Sequence, residues 1–199
     1  MSAIEENNTE DRKQFYETVY KLTNALLAGM IACIIVGIKP LYVLIMSERF
    51  APAWVYVPIL ALATAFNCQS SFFGVVYTTS EKTRKAFVTT ALGAAMNVFF
   101  NFLFIRPLGL QGVAIGTCLG YVVVSLIRAR DCQKEIHMSF DISRTAIAIV
   151  ILTIQSVVTI SLGNIEIAVA GVISIGAIIL LYRVEVREIL SKALAMVKR

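Results

Sequence analysis

Residues 82–128 read KTRKAFVTTALGAAMNVFFNFLFIRPLGLQGVAIGTCLGYVVVSLIR. Three cations open the stretch, Lys82, Arg84 and Lys85, and Arg128 closes it. Between them lie two apolar runs, Ala86–Ile105 and Val113–Ile127, joined by the turn Arg106–Gly112. A helix needs about 20 apolar residues to cross some 30 Å of hydrocarbon at about 1.5 Å per residue. The stretch therefore reads as two membrane-crossing helices with a tight turn at one end and positive charge at the other.

Four further runs of the same kind flank it: Leu22–Met46 and Trp54–Thr78 before, Ala146–Leu162 and Ile167–Tyr182 after. The composition agrees, with 58% hydrophobic and only 16% charged residues and a mean hydropathy of +0.77, whereas a soluble domain carries about a quarter charged. The expected fold is all-α, a polytopic membrane protein of six transmembrane helices. The expected divisions are an N-terminal arm at 1–21, a transmembrane lobe at 22–183 and an amphipathic tail at 184–199. In that tail Val186, Ile189, Leu190, Ala193, Leu194 and Val197 recur at helical spacing, which suits a helix lying on a membrane surface.

Charge sets the orientation. If the six runs alternate in direction, fifteen of the 18 Lys and Arg residues share one side: Arg12, Lys13, Lys21, Lys82, Arg84, Lys85, Arg128, Arg130, Lys134, Arg144, Arg183, Arg187, Lys192, Lys198 and Arg199. Only Arg49 and Arg106 fall at the opposite ends, with Lys39 inside the first run. The positive-inside bias then places both termini in the cytoplasm. Residues 1–20 are polar and acidic-rich without an apolar core, so no cleavable signal peptide is expected and the first run serves as the insertion signal.

Several chemistries find no support. No P-loop, acidic pair or nucleophile elbow is present, which argues against an enzyme and gives no catalytic residue. Cys33, Cys68 and Cys118 fall within apolar runs and Cys132 in an expected cytoplasmic loop with His137, without metal-ligand spacing. Neither a metal nor another cofactor is expected, and no basic stripe interleaved with aromatics suggests nucleic acid.

The polar residues inside the runs carry the remaining signal. Thr90, Gly93, Asn97 and Asn101 form a stripe on the third run, and Asn67, Ser70 and Ser71 share a face of the second. An amide in hydrocarbon must find a partner or water; these residues either hold helices together or line a water-filled cavity. Lys39 precedes Pro40, which favours a kink, and either snorkels to the outer interface or serves as a cavity cation. Arg49 and Arg106 read as interface anchors that could also meet an anionic group at a cavity mouth. Gly112, Gly116 and Gly120 fall on one helix face and permit close packing against a neighbour. Asp141 and Ser143 offer an N-cap to the fifth run.

From Tyr77 to Val124, the turn SEKTRK, the Asn97-x-x-x-Asn101 pair and the turn Pro107-Leu-Gly-Leu-Gln-Gly112 leading into Val-Ala-Ile-Gly-Thr117 resemble the C-terminal lobe of polysaccharide and O-antigen flippases. These belong to the multidrug/oligosaccharidyl-lipid/polysaccharide exporter superfamily. Pro40–Phe50 and Pro58–Phe66 fit the preceding helix pair more loosely. The resemblance implies one lobe of a two-lobe transporter in the inner (cytoplasmic) membrane. Its expected partners are a lipid-linked oligosaccharide, membrane lipids, and a companion N-terminal lobe or second copy. It would flip the oligosaccharide by alternating access, with Lys39, Asn67, Asn97, Asn101, Arg49 and Arg106 as candidate cavity residues. The alternatives are a multidrug-type exporter of the same superfamily and a non-transporting remnant or membrane scaffold.

Overall fold

The computed structural model describes residues 2–45, 51–79, 81–136, 141–161 and 163–197, and no strand occurs among them. Arg49 and His137 lie outside the described residues. The elements are α1 (Ser2–Ile45), a short 3-10 helix (Ala51–Tyr56), α2 (Val57–Thr79), α3 (Thr83–Ile136), α4 (Ile142–Ser161), α5 (Asn164–Leu181) and α6 (Arg183–Val197). Helices α1 to α5 each contain a segment long and apolar enough to cross a membrane, which marks a membrane-embedded protein.

At 54 residues α3 would run about 81 Å if straight, more than twice the hydrocarbon thickness. It is not straight. Gly109 takes φ 58° and ψ −136°, a backbone that side-chain-bearing residues rarely adopt, and folds α3 into two antiparallel arms, 83–108 and 110–136. The arms meet in a fixed register: Gly112 lies on Phe104, Gly116 on Asn101, Gly120 on Asn97, Gly93 on Val124, and Arg128 on Thr89. Each step of about four residues back along one arm matches four forward on the other, the spacing of one face of a helix.

Glycine makes this approach possible. A Cβ on Gly120 would stand 3.1 Å from the Asn97 Cα, and one on Gly112 would collide with the Phe104 carbonyl. The same geometry accounts for the Asn97/Asn101 pair. Asn101 Nδ2 donates to Asn97 Oδ1 at 3.0 Å along its own arm, and Asn101 Oδ1 is buried without a conventional donor. A Cβ on Gly116 would stand 2.5 Å from that oxygen, so a Gly116 Cα–H points at it and supplies a weak Cα–H···O contact.

The arm 83–108 begins after a tight turn. Glu81 adopts φ 57°, and the bonds Glu81 N–H to Thr78 O (3.2 Å) and Lys82 N–H to Tyr77 O (2.8 Å) close the end of α2 in a Schellman arrangement. Helix α4 starts where an Asp cap was expected: the Arg144 N–H donates to Asp141 Oδ1 at 3.3 Å.

The hub of the bundle is α1. Its Ala25, Ala28, Ile31, Ala32 and Ile35 pack with Ala61, Leu62 and Ala65 of α2, Ala148 and Leu152 of α4, and Ile178 of α5. Small residues on α1 and α2 let these helices approach closely. Pro40 lies inside α1, which continues to Ile45. By contrast, α3 joins the bundle almost wholly through α2. At the end of α2 nearest α3, Phe73 stacks on Tyr20 with ring centroids 5.8 Å apart, Tyr77 Oη donates to Asp131 Oδ2 at 3.1 Å, and Cys132 packs beside them. Cys132 is 1% exposed in α3 rather than in a loop, because the helix runs on to Ile136.

Candidate functional site: a polar groove between α2 and α3

Between α2 and the two arms of α3 runs a groove of about 610 Å³. Its polar lining comes from Asn67, Ser70 and Ser71 on α2, Thr90 and Asn97 on the first arm, and Thr117, Tyr121 and Arg128 on the second. Gly93 and Gly120 contribute bare backbone to the floor. Asn67 is the eleventh of the 23 residues of α2, so the groove reaches the middle of an apolar helix.

Arg128 closes one end. Its side chain is 7% exposed, and all five guanidinium hydrogens have acceptors. Nε donates to Thr89 Oγ1 (2.9 Å), Nη1 to the Ser70 carbonyl (2.8 Å) and Ser70 Oγ (3.1 Å), and Nη2 to Thr90 Oγ1 (2.7 Å) and the Ala86 carbonyl (3.2 Å). Every acceptor is neutral. A hydrogen bond to a charged group contributes about 1.5–3 kcal/mol, so five of them offset much of the cost of taking the cation from water. Gly74 makes the room, since a Cβ there would stand 3.0 Å from Nη1. Only the flat, five-donor fork of arginine can reach α2 and both arms at once.

Behind the groove runs a thread of buried amides. Ser125 Oγ donates to Gln69 Oε1 at 3.4 Å, Gln69 Nε2 to Asn24 Oδ1 at 2.9 Å, and Asn24 Nδ2 to the Tyr20 carbonyl at 2.9 Å. Deeper in the bundle, Gln155 is 1% exposed and donates to the Ala32 carbonyl at 3.0 Å, tying α4 to α1.

Of the cavity candidates, Asn67 and Asn97 meet in the groove. Asn101 is turned into the α3 seam against Gly116. Lys39 is elsewhere: its Nζ lies 5.1 Å from the Trp54 ring centroid, beside a second hollow of about 580 Å³ lined also by Asn164, Ile167 and Ala168. Arg106 is exposed near the α3 turn, its guanidinium 5.7 Å from the Phe102 ring on the same arm.

Sequence reading counted Arg128 among loop cations, because it ends an apolar run and is followed by Arg130. Its acceptors come from residues 38 to 58 positions away, a distance that periodicity cannot bridge. The available signal was the Ser70/Gly74 pair one turn apart on α2. Asn24 and Gln155 were also missed, each being the one carboxamide in its apolar run. Set against protein-family models, curated proteins and solved structures, the chain matches none of them.

Proposed function

We propose that this chain is one lobe of a flippase that moves a lipid-linked oligosaccharide across the cytoplasmic membrane. In this reading it crosses the membrane six times, α3 counting twice because of its fold at Gly109, with both termini cytoplasmic. The observation that carries the reading is the groove itself: Asn67 and Ser71 are exposed on it, near the middle of the apolar helix α2. An unpaired amide or hydroxyl facing hydrocarbon costs roughly 2–7 kcal/mol. Such a face calls for water, a polar ligand or a companion lobe.

Hydroxyls and amides suit the hydroxyls of a sugar head group, while the carrier's tail remains in lipid. No carboxylate lines the groove among the described residues, and a guanidinium does, which disfavours an exporter of organic cations. A companion N-terminal lobe would supply the facing wall and close the path from lipid by alternating access.

The test is export of polymer in a strain lacking its own flippase, with this chain and a companion lobe expressed together. The double variant Asn67→Leu/Asn97→Leu should abolish export at normal abundance, and the lipid-facing Val172→Leu should not. Normal export by the double leucine variant would sink the reading.

A further inference from the structure

Between α1, α2 and α4 the fold leaves a small cavity of about 20 Å³. Asn24, Gln69, Thr145 and Tyr182 line it among alanine and aliphatic side chains. A water molecule needs about 10–15 Å³ of such space and two to four polar partners, and a purely apolar hollow stays dry. This cavity meets both requirements.

The lining groups have hydrogen-bonding capacity to spare. Asn24 donates to the Tyr20 carbonyl and also bonds the Tyr20 hydroxyl, while Gln69 spends one amide hydrogen on Asn24 Oδ1 and carries a second. Both residues are buried, at 7% and 9% exposure. Tyr182 ends α5, and its phenol can both donate and accept. That hydroxyl bonds the Thr145 side chain and keeps a lone pair for a further partner. Thr145 Oγ1 donates to the Asp141 carbonyl at 3.2 Å and lies 3.5 Å from Tyr20 Oη, leaving acceptor capacity.

We infer that this cavity is a hydration site holding one ordered water that joins the Asn24–Gln69 pair to Thr145 and Tyr182. The water reinforces a polar thread that runs from Ser125 on α3, through Gln69 on α2 and Asn24 on α1, to Thr145 on α4 and Tyr182 at the junction of α5 and α6. Side-chain bonds of Tyr20 with Asn24 and of Thr145 with Tyr20 and Tyr182 already cross that last gap, and the water adds a second route. A bridging water is nearly as good enthalpically as a direct hydrogen bond and costs little to order. It helps to join α3 to the end of α5 through α2, α1 and α4.

X-ray hydroxyl-radical footprinting of the purified protein tests this, because a bound water generates the radical in place beside a buried side chain. Tyr182, although 3% exposed, should be modified at a rate typical of an exposed tyrosine. Ala148→Val extends a side chain into the cavity from α4 and should cut that rate by about fivefold or more by displacing the water. Ala65→Val, which fills the same cavity from α2, should do the same and guards against a local distortion of α4. Absence of Tyr182 modification in the native protein overturns the inference, as does an unchanged rate in a folded Ala148→Val or Ala65→Val protein.

Discussion

Helix α5 and the groove between α2 and α3 are both exposed, yet the two surfaces are chemically unlike. On α5 the exposed residues are Ile165, Val169, Val172, Ile173, Ile179 and Leu180, and this helix holds the most apolar candidate membrane span among those described. On the α2–α3 side Asn67, Ser71 and Thr90 are exposed beside a buried guanidinium. Hydrocarbon is a good solvent for the first face and a poor one for the second. The packing differs in parallel: the seam inside α3 is backbone against backbone, through glycines, while α5 reaches α1 mainly through larger aliphatic residues, with Gly171 a single close point against Val36. One side of the molecule is apolar throughout. The other is built to a tighter tolerance and sets a polar groove among exposed apolar side chains such as Phe87, Val98 and Phe102.

The largest effect that would sharpen this contrast is expected in the seam. Gly116→Leu places a branched chain against Asn101 and the neighbouring backbone, and should destabilise the lobe by more than about 3 kcal/mol, beyond ordinary overpacking. Little folded protein should then survive size-exclusion chromatography in detergent. A monodisperse, wild-type-like Gly116→Leu protein would show that the arms are not in contact.

Next comes Arg128. Arg128→Lys keeps the charge but can make at most three of the five bonds, and should lower stability by about 3–6 kcal/mol, two hydrogen bonds to a charged group at about 1.5–3 kcal/mol each. Arg128→Met removes the charge and leaves the acceptors to one another. Thermal unfolding should place Met no lower than Lys; a Lys variant as stable as the wild type would mean that charge alone holds this site.

Solvation of the two faces gives a smaller signal. In a cysteine-free background, a single cysteine at Asn67 or Ser71 should react with a membrane-impermeant maleimide at least about tenfold faster than one at Val172 or Ile173, a difference near 1.4 kcal/mol. Equal rates would erase the distinction between the faces.

The smallest expected change is a gain. A Cβ added at Gly29 or Gly176 meets nothing within 4 Å, so Gly29→Ala and Gly176→Ala should stabilise their helices by up to about 1 kcal/mol through helix propensity. A loss at either position, seen as a lower melting temperature, would reveal a contact with a partner surface.

Much of this architecture was legible in the sequence, for identifiable reasons. The turn at Pro107–Gly112 and the four-residue glycine spacing declare the α3 hairpin, because a helix face has a fixed period and glycine has few other uses inside an apolar run. The expectation of Arg106–Gly112 as a loop was broader than the break itself, which is concentrated at Gly109. Asn67 and Asn97 were singled out as polar residues at mid-run, and they do meet. What could not be read were partners distant in the chain: Arg128 with Ser70, Asn24 with Gln69, Gln155 with the Ala32 carbonyl. Amphipathic period identifies a face without saying which helix covers it. The separation of Lys39 from the groove had the same cause, since its position depends on α5 and Trp54, elements that follow it in sequence.

The register of the α3 arms also constrains how this segment can change length. Inserting one residue in the arm 83–108 would rotate everything on the far side of the insertion by about 100°, moving the larger side chains onto the glycine track and stranding Arg128 from Thr89. A second insertion at matching depth in the other arm would restore the pairing of depths but leave both faces rotated by about 100°. Lengthening by whole repeats of about seven residues per arm, nearly two helical turns, keeps the track aligned and carries the turn outward by about 10 Å. The hairpin is a ruler as well as a scaffold: the depth of each groove residue is tied to one on the opposing arm, and substitutions can accumulate along it where single insertions and deletions cannot.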